Sequence, residues 1–161
     1  MDWTSVDLAD CPVIRALDVV GQRWTLVVLR EIYNDVGRFE DLQHHLGISP
    51  SVLSRRLAEM VDAGLLTREE YREEGHRPRH AYRATEKAWD LYPVVVGLMQ
   101  WGDRHLRDGD RPAVALVDRN TGRRVVAAVV TEDVAACDPA EIDVVVGSPL
   151  SARGGRGARG R

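Results

Sequence analysis

The residues best suited to chemistry fall in one stretch, Gly47-Ile48-Ser49-Pro50-Ser51-Val52-Leu53-Ser54-Arg55-Arg56-Leu57. Ser49 reads as a helix N-cap and Pro50 as the first helical residue. On a wheel of about 100° per residue, Leu53, Leu57, Met60 and Val61 share a face and are expected in a core. The opposite face carries Ser51, Ser54, Arg55, Ala58 and Asp62, with Val52 at its edge. Small hydroxyl side chains around one arginine let a backbone come close to a DNA major groove. Arg55 is the expected two-pronged guanine contact, and Ser51 and Ser54 suit phosphate or base edges. The amides at Ser49 suit phosphate, and Arg56, nearer the core edge, is expected to reach phosphate along its aliphatic stem. Taken singly, each of these residues would be ordinary solvated surface.

A second cluster follows. Residues 75–83 hold His76, Arg77, Arg79, His80 and Arg83 and no acid. Residues 1–110 as a whole carry 14 basic and 19 acidic side chains. A basic finger on an acidic body would attract a polyanion and orient it.

Other chemistries find no support. There is no glycine-rich phosphate loop, no Ser/His/Asp order in context and no ligand-spaced His, Cys and carboxylate set, so neither an enzyme nor a bound cofactor or metal is expected. His44 and His45 are adjacent, project about 100° apart and are poor joint ligands, so surface placement or a phosphate contact is expected. Glu69-Glu70 and Glu73-Glu74 read as solvated. Cys137, in Ala-Ala-Cys-Asp-Pro, reads as a loop residue with no special role.

The 161 residues, 44% hydrophobic and 29% charged, suffice for one ordinary domain with a small appendage. With a formal net charge of −3, any nucleic-acid site must be a local patch. Two cysteines cannot organise a disulfide scaffold. The acidic start Met1-Asp2-Trp3-Thr4 and the lack of a long apolar run lead us to expect neither secretory signal nor membrane span, and a cytoplasmic location.

Elements must hold these clusters in place. Asp10 as cap and Pro12 at the first position predict a helix through Val13, Ile14, Leu17 and Val20. After a break near Gly21, a second helix places Trp24, Val27, Val28 and Ile32 on one face. A turn at residues 34–37 leads into a short helix with Phe39, Leu42 and Leu46, closed by Gly47. With the helix from Pro50 to about Ala63, stopped by Gly64, this is helix-turn-helix spacing. Leu65 to Tyr71 and Ala81 to Ala84 read as a hairpin, a wing. Thr85 caps a helix with an apolar stripe of Ala88, Leu91, Tyr92, Val95, Leu98, Met99 and Leu106, which Pro93 should kink or break. A stripe this long needs a partner, most simply a second copy. Beyond Gly109, residues 113–117 and 125–130 read as a hairpin turning at Asn120-Thr121-Gly122, with Ile142 to Val146 as a third strand. Ser151 to Arg161 is Gly/Arg/Ala low complexity, expected to be disordered.

Several pieces together carry a resemblance: Cys11-Pro12-Val13, Gly21-Gln22-Arg23-Trp24-Thr25-Leu26, Arg38-Phe39-Glu40-Asp41-Leu42, the stretch 47–57, Ala63-Gly64-Leu65-Leu66 and Tyr82-Arg83-Ala84-Thr85-Glu86-Lys87. Residues 11–106 resemble the HxlR-type winged helix-turn-helix regulators of bacterial transcription. The expected fold is mainly α with a small β-wing (α+β): residues 1–108 for DNA binding and dimerisation, a β-rich extension at 109–149 and a disordered tail at 150–161. The resemblance implies a homodimer on an inverted-repeat operator, repressing or activating. It places the dimer interface on the first and last helices of the domain, with Val13, Ile14, Leu91, Val95, Leu98 and Met99. The DNA-facing set is Arg38, Ser49, Ser51, Val52, Ser54, Arg55, Arg56, His76, Arg77 and Arg79. Relatives with a cysteine at the Cys11 position imply a redox or electrophile sensor, against a packed interfacial cysteine as the plainer reading. The extension lacks the cysteines of some larger relatives, so no zinc is expected. Two alternatives stay open. One is a winged-helix interaction module without DNA binding. The other is an effector pocket between the dimer helices and residues 110–149, walled by Trp89, Met99 and Trp101.

Overall fold

In the computed structural model, residues 4, 7–72, 79–106, 114–131 and 134–146 are described. Two units are resolved, Met1–Tyr92 and Pro93–Arg161.

In the first unit, caps set the helix boundaries. Helix α1 (Pro12–Val20) begins at Cys11, whose extended backbone (φ −68°, ψ 117°) makes it the N-cap, with Pro12 directly after it. Asp10, expected in that role, instead ends a short 3-10 turn, Leu8–Asp10. The Cys11 side chain makes no cap bond, so proline preorganisation defines this helix start. Helix α2 (Arg23–Tyr33) follows the break at Gly21. Its end is closed by the Asp35 N–H on the Ile32 carbonyl and the Val36 N–H on the Glu31 carbonyl, both at 3.0 Å. Asp35 takes the left-handed position (φ 62°) that glycine usually fills.

Helices α3 (Phe39–Leu46) and α4 (Pro50–Asp62) form the helix-turn-helix pair. Gly47, at φ 60°, closes α3 in the left-handed region, and Ser49 caps α4 two residues later. Leu42, Leu53, Leu57 and Met60 meet Val28, Leu29, Ile32, Leu65 and Tyr82 in one core. Each fully buried leucine contributes roughly 1.5–3 kcal/mol to holding the pair in place. Val61, expected in that core, is partly buried at its edge.

Strands β1 (Leu66–Tyr71) and β2 (Arg79–Ala84) pair antiparallel from Leu66↔Ala84 to Tyr71↔Arg79. A third segment joins through a single bridge, Arg38↔Ala81, with the Tyr82 N–H donating to the Gly37 carbonyl at 2.8 Å. A Cβ on Gly37 would stand 2.3 Å from the Tyr82 carbonyl oxygen, so this approach requires glycine. Thr85 ties the wing to the pair: its hydroxyl donates to the Gly64 carbonyl at 2.8 Å and accepts the Ala88 N–H at 3.3 Å. Lys87 donates to the Ala63 carbonyl at 2.7 Å, a cation at the C-terminus of α4.

The long terminal helix is broken. Helix α5 (Glu86–Trp89) stops at Asp90, and α6 (Tyr92–His105) restarts with Pro93 in its first turn. Proline lacks the N–H that would carry the helix on, and tolerates a first turn well.

In the second unit, strand β3 (Val114–Asp118) pairs antiparallel with β4 (Ile142–Val146), from Val114↔Val146 to Asp118↔Ile142. The expected hairpin partner, residues 125–130, does not form a strand. It starts beside β3 with the bridge Val117↔Arg124 and the Val125 N–H on the Leu116 carbonyl at 2.9 Å. The Gln100 carboxamide on α6 then captures it, donating to the Val125 carbonyl at 3.1 Å and accepting the Ala127 N–H at 3.0 Å. The side chain takes the backbone bonds that a ladder would have used.

Candidate nucleic-acid interface

Helix α4 is anchored at both ends and on one side, leaving the opposite side bare. Ser51, Ser54, Arg55, Ala58 and Asp62 are exposed, and Val52 is half-buried at the edge. At the N-terminus the Ser49 hydroxyl accepts the Val52 N–H at 3.4 Å and lies 3.4 Å from the Ser51 hydroxyl. Arg55 reaches into solvent, with its Nε 4.0 Å from Glu59. Such an exposed, loose pair holds the guanidinium weakly. Arg56 differs: only 13% of its side chain is exposed, and Nη1 meets the Glu59 carboxylate at 2.5 Å. Its Nε is buried with no hydrogen-bond partner among the described residues. Arg55 is thus positioned to leave the surface, and Arg56 to stiffen it.

The wing's charge is more balanced than its sequence. Arg79 Nε lies 3.3 Å from Glu40 of α3, and Arg83 Nε donates to Glu69 of β1 at 2.8 Å. Tyr71 donates to the same Glu40 at 3.5 Å, and the Arg38 guanidinium lies 4.7 Å from the centre of the Tyr71 ring. Arg38, Glu40, Tyr71 and Arg79 therefore form one cluster at the root of the wing. His80 is half-buried on β2, and its Nδ1 has no hydrogen-bond partner among the described residues. The wing tip, including His76 and Arg77, lies outside the described residues.

One residue that sequence reasoning passed over, Glu31, supports the pair from behind. Glu31 on α2 is 3% exposed, and its carboxylate accepts bonds from Arg30, with Nε at 2.8 Å, and from His45 Nδ1 at 2.5 Å. A buried acid facing a histidine fourteen positions on has no local sequence signal. His45 thus serves as a strut between α2 and α3 although, like His44, it is exposed.

The remaining candidates are divided between the two units. Cys11 is a free, half-buried thiol at the start of α1. Val13 and Ile14 on α1 are exposed, as is Leu98 on α6. Val95 and Met99 are half-buried, and Leu91 packs against the first unit's core. Trp89 stacks with Tyr33 in the first unit (centroids 4.7 Å apart), whereas Trp101 and Met99 belong to the second. Cys137 donates to Asp118 at 3.1 Å, which places it in a defined contact not expected for it. That bond foremost, with further bonds from Thr121, lowers the Asp118 pKa from 3.8 to about 2; the same contact pushes the Cys137 thiol up. Among the described residues no group of three or more His, Cys, Asp or Glu could hold a metal ion, and no helix is long and apolar enough to cross a membrane.

Comparison with known proteins agrees with this geometry. The family model described as HxlR-like helix-turn-helix matches residues 19–110. An uncharacterised HTH-type transcriptional regulator of Mycobacterium tuberculosis (strain ATCC 25618 / H37Rv) is 44% identical over 108 residues, 67% of each chain. Among solved structures, PA1607, described as a candidate transcription factor, superposes with a TM-score of 0.67 at 31% identity. The match covers 95% of this chain and 97% of that one. The redox regulator HypR in its oxidised form gives a TM-score of 0.54 at 30% identity over 62% of this chain and all of that one. The first two of these relatives are described as regulators of transcription rather than enzymes. The exposed helix of a capped pair, the β-wing behind it and the family match together make this chain a winged-helix transcriptional regulator belonging to the HxlR-like helix-turn-helix family.

Proposed function

We propose that the protein acts as a homodimer on an inverted-repeat operator, each copy laying α4 in a major groove and its wing along the flanking backbone. The observation that carries this reading is the bare face of α4: Ser51, Ser54 and Arg55 lie outward while Leu53, Leu57 and Met60 lock the helix from behind. Arg55 reads a base, the serines and the Ser49 amides bind phosphate, and Arg38, Arg77 and Arg79 steer the duplex. Residues 1–108 carry DNA binding and dimerisation in this reading, and 109–149 form an appended module.

Dimerisation is supported by α1, where Val13, Leu17 and Val19 are exposed on a helix with one buried residue, Val20. Apolar surface of this kind on a regulator suits a second copy, with α6 contributing Leu98. Cys11 is the redox-responsive group in this account: a free, half-buried thiol at a helix start. The likeness to HypR, a redox regulator, supports the same reading.

Genomic footprinting with the purified protein tests the proposal. The expected result is protection of paired half-sites about one helical turn apart. Footprints without two-fold symmetry would contradict it. Loss of operator affinity on diamide treatment, abolished in Cys11→Ser, is the expected redox outcome; unmodified Cys11 and unchanged affinity would remove that part.

A further inference from the structure

A cavity of about 320 Å³ opens in the first unit where the end of α2, strand β2 and helix α5 meet. The proposed DNA contact on α4 does not use it. One wall is aromatic: the Tyr33 and Trp89 rings, tilted 32° to each other and both half-buried. The Tyr33 hydroxyl is already committed to the Ala88 carbonyl, and burial pushes its pKa well up, so the wall presents neutral ring faces. The rim is charged, with Arg38 and Arg83 against Asp35.

Arg83 defines the chemistry. Its side chain is 62% exposed, and its Nε–H is given to Glu69. Among the described contacts both terminal NH2 groups remain available, and they form a planar fork matched to a carboxylate. Asp35 lines the same cavity. It would repel a doubly charged phosphate more than a single carboxylate. The volume stands at the lower end of small-molecule sites, which span roughly 300–1,000 Å³, so it suits one or two rings.

We propose that this cavity is a binding site for a small aromatic carboxylate, its ring against Tyr33 and Trp89 and its carboxylate on the Arg83 fork. The floor is β2, the second strand of the wing, so occupancy bears on the element that the regulator presents to DNA. Binding itself is a property of the free protein and stands apart from the operator reading.

The test is isothermal titration of the full chain with benzoate and 1-naphthoate, against benzamide and benzylamine. The expected result is saturable binding of the two carboxylates, with the neutral and cationic analogues roughly tenfold weaker or more. Arg83→Met should weaken the carboxylates by a similar factor. Asp35→Asn should strengthen them, and asparagine keeps the left-handed backbone that Asp35 adopts. Unchanged thermal unfolding would show that both variants fold. The proposal is overturned if neither carboxylate binds at millimolar concentration, if benzamide matches benzoate, or if both variants bind as the parent does.

Discussion

The Nε of Arg79 on β2 lies 3.3 Å from Oε1 of Glu40 on α3, so one ion pair joins the wing to the first helix of the helix-turn-helix pair. This pair withholds part of the wing's positive charge from any polyanion. Glu40→Gln should release it. Nonspecific DNA affinity is expected to rise, and the salt dependence to steepen by about 0.9 in log–log slope if one more phosphate is neutralised. Fluorescence anisotropy across a salt series measures both. In Arg79→Ala the Glu40→Gln gain should vanish.

His45 and Glu31 support a stability prediction. Removing His45 strips one partner from a buried carboxylate, whereas removing Glu31 leaves Arg30 and His45 free to be hydrated. His45→Ala is therefore expected to cost about 1–3 kcal/mol, by the penalty for an under-satisfied buried acceptor. In the Glu31→Gln background the cost should be smaller. Urea unfolding of the four proteins measures the coupling, and equal His45 effects in both backgrounds would deny it.

Gly37 allows the Tyr82 N–H to reach its carbonyl, and a methyl group there would meet the Tyr82 oxygen. Gly37→Ala should detach the Arg38 bridge from β2 and cost roughly 1–3 kcal/mol, as overpacking does. Amide exchange at Tyr82 should accelerate more than exchange within α4.

The second unit has its own pH signature. Asp118 is held at about 2, below its ordinary 3.8, chiefly by the Cys137 thiol and then by Thr121. Its folded-state value is depressed, so its contribution to the unit is fully present above the ordinary value and fades as pH falls through about 2. Carboxyl NMR titration should show the depression, and Cys137→Ala should move the midpoint upward. An Asp118 midpoint near 3.8 in the parent would contradict the contact.

What could be read from the sequence was local. Ser49-Pro50, Gly47, Gly64 and Thr85 announce helix ends through their own backbone preferences, and all four stand where expected. The outward face of α4 followed from period alone. Interactions between distant residues were not legible. Counting charge along 75–83 overlooked Glu40 and Glu69, which reach the wing arginines from another helix and the facing strand. Val125 to Val130 has the composition of a strand, but the Gln100 carboxamide from α6 takes its bonds. The Glu31–His45 strut was hidden for the same reason, because burial of a carboxylate is decided by the packed core and not by its neighbours in sequence.

The central claim is that Arg55 reads a base from the exposed face of α4. Binding of parent and Arg55→Ala protein to a footprinted operator, with every half-site position substituted in turn, tests it most directly. The account predicts a loss of about 1–3 kcal/mol and relaxed preference at one base pair, while Arg79→Ala weakens all sequences alike. Unchanged affinity and unchanged preference at every position in Arg55→Ala would contradict it.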